Sequence, residues 1–345
     1  MIRSYKLTPE DLDKCVEFAV EMFKKGSTTN RVTGERRGLG KMIDDWVGGK
    51  AVEIGIKNIL ESYSEEKRLG LDFEIYGQGK RPDKPDIIRV TDREGSERSP
   101  RLFIEIKNYG EGERWVGLRE EQLKTIQQVT QGRLDTAYLV YGQIDIDPSV
   151  GGKLADFLGA YFKEALNEDH KRISETFAEI EKFYVKIRYI VSVADLNDRG
   201  VWFDPQRDYL LETELFEPAV RARSNMTPVP ILNGRIPHED YGGKPYPDNI
   251  GDLVVSSGEI EMYKVNNPNS SSYLVRALSD SEIFNEVLGS YKLSKGLTYK
   301  FKLGPAGRND KIYHRSLWIS ERRVKELFGS EETVKSYAEK IMRDI

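Results

Sequence analysis

Glu105 and Lys107 stand two residues apart in the stretch FIEIKN, residues 103–108, and Asp86 stands upstream in KPDII. Side chains alternate from face to face along a strand, so a carboxylate and an ammonium at this spacing share one face. Leu102, Ile104 and Ile106 take the opposite, apolar face, and Phe103 shares the face of the two charges. If the strand that begins at Asp86 pairs antiparallel with this one, two carboxylates meet with an ammonium beside them. Paired carboxylates suit a hard divalent cation such as Mg²⁺, which prefers oxygen ligands. A neighbouring ammonium can orient or help deprotonate a water and offset charge building on a phosphate. Phosphodiester hydrolysis needs this set of parts. The competing reading is a solvated strand face.

The elements that must position these residues can be read from period and punctuation. TPEDLDKCVEFAVEMFKKG has Thr8 as a cap, Pro9 at the first helical position and Gly26 after terminal lysines, which predicts a helix. A basic, polar segment to Lys41 follows as a loop. A second helix is expected over 41–64, with Val52, Ile56, Ile59, Leu60 and Tyr63 as its apolar stripe, and with Gly48-Gly49 either kinking it or delaying its start. Three strands are expected at 71–77, 85–90 and 101–108, the last two joined by the polar turn 91–100. A helix near 119–132 and a buried strand near 136–146 follow. Residues 151–183 read as helical, 183–193 as a strand closing the same sheet, and 320–344 as a terminal helix. The fold class is α/β (α+β) with a mixed sheet. After about residue 196 Pro and Gly become frequent and strands short. This places a domain at 1–196 and a second, strand-rich domain at 197–345.

Pro85-Asp86 followed by Glu105-Ile106-Lys107 resembles the PD-(D/E)xK motif of the restriction-endonuclease-like nuclease superfamily. The resemblance covers roughly residues 40–145, where the predicted order also matches that superfamily's αβββαβ core. It implies that Asp86, Glu105 and the carbonyl of Ile106 bind Mg²⁺, with Mn²⁺ as a substitute, and that Lys107 positions the attacking water. Many members add a glutamate from the preceding helix, and Glu53 is the best match; its plain alternative is a surface residue. Asp83 in RPDKPD is a weaker candidate, because Asp86 directly precedes the apolar IIRV. The resemblance implies a Type II restriction endonuclease acting on double-stranded DNA as a homodimer. A repair, junction-resolving or modification-dependent nuclease, or a non-catalytic DNA-binding module on the same fold, are the alternatives.

Charge is uneven along the chain. The net charge is -4, but Lys24–Lys41 holds six Lys/Arg against one Glu, and Tyr291–Lys325 holds ten against Asp310 and Glu321. Two basic islands in an acidic protein fit localised contacts with a polyanion. Arg31, Arg36, Arg37 and Lys41 precede the Glu53 helix, and Lys300, Lys302, Arg308 and Arg315 sit among aromatic residues; all are candidate DNA contacts. Lys124 and Gln127, on the helix after the motif, are candidate phosphate contacts.

Composition excludes other classes. The absence of a long apolar run and of a leader pattern argues against membrane insertion or export, and predicts a cytoplasmic protein. A single cysteine, Cys15, precludes an internal disulfide and reads as a packed thiol. Three histidines and no CxxC pair disfavour structural zinc. Without a GxxxxGK[ST] stretch, no nucleoside triphosphate is expected as a partner.

Overall fold

Helices α1 (Pro9–Lys24) and α2 (Leu39–Glu61) form where the caps and apolar spacing predict them. At the start of α1 the hydroxyl of Thr8 accepts from the N–H of Asp11 at 3.2 Å, and the Asp11 carboxylate accepts from the N–H of Thr8 at 3.0 Å, a reciprocal cap. Helix α2 runs unbroken through Gly48-Gly49 and is buried almost all round from Trp46 to Ile56. An amphipathic helix has one face to cover, whereas α2 is enclosed by α1 and by the sheet beneath it. The architecture comes from a computed structural model that describes residues 4–24, 39–75, 84–110, 115–147, 182–203, 214–218, 226–228, 231, 234–236, 253–265, 272–286, 289–302 and 315–345.

The sheet beneath α2 is mixed. Strands β1 (Ser4–Lys6), β5 (Phe103–Asn108), β7 (Ala137–Asp147) and β8 (Lys182–Ser192) lie in the order β1-β8-β7-β5. β5 and β7 are parallel, with Glu105 opposite Leu139 and Lys107 opposite Tyr141, and the other pairs are antiparallel. Parallel neighbours need a crossover. Here it contains β6 (Trp115–Arg119) and α3 (Glu120–Val129). Close approach of α2 requires small residues: a Cβ on Gly55 would come within 2.3 Å of the Val185 side chain on β8.

The expected antiparallel pairing of the Asp86 strand with the Glu105 strand is not a ladder. Strands β2 (Arg68–Leu71), β3 (Ile87–Thr91) and β4 (Glu97–Arg98) form their own antiparallel sheet in the order β2-β3-β4. The predicted turn 91–100 folds back on β3 through β4 and takes up the edge that β5 was expected to occupy. The strand expected at 71–77 ends at Leu71, with Asp72 to Ile75 irregular. The helix expected over 151–183 lies largely outside the described residues, whereas the strand at 183–193 is β8.

After β8 come α4 (Val193–Arg199) and β9 (Val201–Phe203). Among the described residues the strand-rich part holds two antiparallel sheets. The first contains β10 (Glu214–Pro218), β11 (Met226–Pro228), β14 (Ile260–Val265), β15 (Ser272–Ala277) and β18 (Thr298–Lys302) in the order β10-β18-β15-β14-β11. The second contains β12 (Arg235–Ile236), β13 (Leu253–Ser257), β16 (Ser281–Asn285) and β17 (Gly289–Leu293) in the order β12-β13-β16-β17. The chain then returns: β19 (Ser316–Ser320) pairs with β6 and β9, and α5 (Glu321–Phe328) and α6 (Glu331–Asp344) follow. Val334, Ala338, Ile341, Met342 and Ile345 enter the core that holds Val16, Val52 and Ile56. Leu317, Ile319, Val324 and Phe328 enter the second core, with Phe103 and Leu139. Residues 316–345, grouped in sequence with the C-terminal domain, thus pack with the first two hundred residues. The single helix expected at 320–344 is two, broken at Gly329-Ser330, where Ser330 caps the second.

Candidate functional site

Asp86 directly precedes β3 and lies at the edge of β5 opposite β7. Its N–H donates to the carbonyl of Ile104 at 2.9 Å, and its carboxylate accepts from the N–H of Ile106 at 2.5 Å. Its own carbonyl accepts from the N–H of Asp72 at 3.0 Å. One backbone bond and one carboxylate bond therefore replace the expected ladder, and they hold Asp86 beside Glu105. Within a strand the N–H and C=O of one residue point to the same side. The Ile106 carbonyl therefore faces the same edge as Asp86.

β5 packs into a core on each face, although its Phe103 face opens toward solvent at Glu105 and Lys107. Ile104 and Ile106 enter the core with α2, and Phe103 enters the other. Glu105 and Lys107 share the Phe103 face, partly exposed, and the Lys107 ammonium donates to the Glu105 carboxylate at 2.5 Å. The charged pair thus occurs on a strand whose remaining inward positions are apolar, where an unneeded charge is costly.

Glu53 is not a surface residue. It is 9 % exposed on α2 and accepts from the ammonium of Lys50 at 2.5 Å. Lys50, 6 % exposed, also donates to the carbonyl of Asp72 at 2.6 Å and lies over the rings of Phe18 and Phe73 at 4.7 and 5.0 Å. Lys50 was absent from the expected set. Its signal was legible, since Lys50 and Glu53 are a three-residue pair of opposite charges inside an apolar helical run.

Asp86 is 3 % exposed, and burial pushes its carboxyl well above the ordinary aspartate range. The charges of Glu105 and then Glu53 push in the same direction, against Lys107 and the Ile106 N–H. Glu105 on β5 and Glu53 on α2 thus both act on the Asp86 carboxyl at the start of β3. Among the described residues no three His, Cys, Asp or Glu side chains stand in ready metal-cage spacing. Glu105 is ion-paired with Lys107 and Glu53 with Lys50. The donors at this edge are oxygens throughout, which fits Mg²⁺ or Mn²⁺ and not a soft metal.

No protein-family model matches the chain, and no curated protein or solved structure matches it.

The remaining expected residues disperse. Lys124 pairs with Glu120 at 3.2 Å and Gln127 is exposed, both away from the face of α3 that buries Leu123 and Ile126. Arg315 donates to Glu120 at 3.0 Å and lies 4.7 Å from the Trp202 ring. Arg31, Arg36, Arg37, Arg308 and Asp83 lie outside the described residues. Of Lys41, Lys300 and Lys302 the backbone alone is described, Lys41 near the start of α2 and the other two on β18 opposite Leu274 and Ser272. Arg322 and Arg323, counted in the second basic island, hold the fold together: Arg322 lies 4.0 Å from the Tyr291 ring, and Arg323 bonds Glu286 at 2.8 Å and Glu326 at 3.3 Å. Cys15 is fully buried, and burial pushes its thiol up, so it is packing and not a nucleophile. Among the described residues no helix is long and apolar enough to cross a membrane.

Proposed function

We propose that this chain is a divalent-cation-dependent endonuclease that hydrolyses phosphodiester bonds of double-stranded DNA. The observation that carries the reading is the bonding of buried Asp86 to Ile104 and Ile106 of β5, the strand that carries the Glu105–Lys107 ion pair, with Glu105 and Glu53 both acting on the Asp86 carboxyl. Burying Asp86 within reach of two further acidic charges is costly to the fold, which favours a functional role for it. The parallel β5–β7 pair with α3 in its crossover supports a restriction-endonuclease-like core, as does the position of α2 over the sheet. The separate β2-β3-β4 sheet is a departure from the expected three-strand continuity.

In this reading Asp86, Glu105 and the Ile106 carbonyl would hold the cation, with Glu53 contributing from α2, and a bound cation would supply Lewis acidity toward a water and the phosphate. Lys107, the more exposed member of its ion pair, meets solvent and orients the attacking water. The Ile106 N–H holds the Asp86 carboxylate at one angle. Phe103 and the apolar residues on both faces of β5 exclude bulk water behind the site. The strand-rich sheets offer a recognition surface, and a homodimer would supply one site per DNA strand.

The test is plasmid DNA incubated with the protein and Mg²⁺ or Mn²⁺. Cutting that stops in EDTA and is lost in Asp86→Ala and Lys107→Ala supports the reading. Discrete bands indicate sequence-specific restriction, and cutting of methylated DNA alone indicates modification dependence. Equal cutting by the variants overturns the site.

A further inference from the structure

Lys50 is buried and charged, and nothing in the nuclease reading above requires it. A buried ammonium is costly unless it is fully paired. Glu53 supplies the charge, at 2.5 Å from its nitrogen. Three further partners hold Lys50 independently of that carboxylate: the Asp72 carbonyl at 2.6 Å and the rings of Phe18 and Phe73 at 4.7 and 5.0 Å. The two rings pack edge to face at 6.2 Å, and Phe73 remains 38 % exposed at the rim. Asp72 in turn donates its N–H to the carbonyl of Asp86. Asp72 therefore ties the Lys50 ammonium to the backbone of Asp86 through contacts that do not involve Glu53.

We propose that Lys50 is the resident counter-ion of Glu53 and competes with a divalent cation for that carboxylate, so that it sets how tightly the site binds metal. The inference rests on the reading of Asp86, Glu105 and Glu53 as cation ligands. Without a cation, the Lys50 and Lys107 ammoniums neutralise two of the three carboxylates, and the site stays folded. A cation recruits Glu53 only by drawing it from Lys50. Lys50 is thus a positioning residue that acts through Glu53 and never touches the reacting atoms.

The experiment is a calorimetric titration of the full chain with MnCl₂ alone, without DNA. Lys50→Met keeps the stem and removes the charge, and it should bind Mn²⁺ at least tenfold more tightly than the wild type. Lys50→Arg keeps the charge and grips a carboxylate with two N–H groups, so it should bind Mn²⁺ several-fold more weakly. In a Glu53→Gln background, Lys50→Met should change affinity by less than twofold, because the competed group is gone. Lys50→Met that binds no more tightly than the wild type overturns the proposal. If Lys50→Met does not fold, Lys50→Arg decides, and binding as tight as the wild type overturns it. Wild type and Asp86→Asn serve as the reference pair. If the wild type fails to bind Mn²⁺, or binds it no better than Asp86→Asn, the cation-ligand reading itself fails and the proposal falls with it. If that pair differs as expected and the Lys50 variants do not, the proposal alone fails.

Discussion

The backbone N–H of Ile106 donates to the carboxylate of Asp86 at 2.5 Å, across the edge between two sheets that share no ladder. A side chain takes the place of a backbone acceptor there. The bond fixes the aspartate's angle beside Glu105, and it stabilises the ionised form that burial disfavours. Burial and the two glutamates prevail over it. The site is therefore assembled at a cost to the fold.

That cost has a sign that can be measured. A carboxyl whose folded pKa exceeds its unfolded value, about 3.9 for aspartate, binds its proton more tightly when folded. Its stabilising contribution is complete below the unfolded value and is lost as pH rises through the folded one. Asp86→Asn keeps an oxygen for the Ile106 N–H and removes the charge. Thermal midpoints in EDTA should therefore be higher for Asp86→Asn than for wild type at pH 8, by a few degrees. The gap should shrink toward pH 4. A variant less stable than wild type at pH 8 would show that the carboxylates are not in net repulsion.

Lys107 carries a separate expectation. If it orients the attacking water, Lys107→Met should lower kcat by about 10²-fold or more. Substrate affinity should change less, because the residue acts on the water. Single-turnover cleavage at saturating protein separates the two quantities. Loss confined to KM would make Lys107 a phosphate contact instead.

Much of this site was legible in the sequence, because strand alternation and helical caps are local. Glu105 and Lys107 share a face as their spacing requires, and Glu53 faces inward. What escaped was non-local. The turn 91–100 looked like a plain connection, yet Glu97 and Arg98 pair back onto β3 and detach it from β5. The return of Ile341 and Met342 to a core built around Val52 leaves no trace in chain order, since an amphipathic helix shows that it packs but not against what. The spacing of Lys50 and Glu53 is local, but the burial of Lys50 is not: it depends on Phe73 and the Asp72 carbonyl, which approach it from outside α2.

The glycines of α2 offer a paired test of how the helix carries Lys50 and Glu53. A Cβ on Gly49 would meet nothing within 4 Å, so Gly49→Ala should stabilise the chain by up to about 1 kcal/mol through helix propensity. A Cβ on Gly55 would overlap Val185 at 2.3 Å. Gly55→Ala must push α2 off β8, and should cost about 1–3 kcal/mol. Because α2 moves with its charged pair, cleavage should fall in Gly55→Ala and stay at wild-type level in Gly49→Ala. Urea denaturation alongside plasmid cleavage checks both, and equal behaviour of the two variants would refute the docking geometry.

The second basic island divides into two classes that DNA-binding measurements can separate. Arg323 is tied to Glu286 and Glu326 and lies 5.0 Å from the Phe284 ring, so it joins α5 to the strand-rich sheet β12-β13-β16-β17. Lys292 and Lys295 are exposed on and just after β17. If the island contacts DNA phosphates, Lys292→Ala and Lys295→Ala should each reduce the slope of log affinity against log salt by about 1. Arg323→Ala should leave that slope unchanged while lowering stability by about 1–3 kcal/mol, since it removes charge-assisted bonds to two glutamates. Binding isotherms at several salt concentrations with catalytically silent Asp86→Asn protein would give the slopes. An unchanged slope in both lysine variants would assign this face to the fold, and would shift the search for DNA contacts to the basic segment before Glu53.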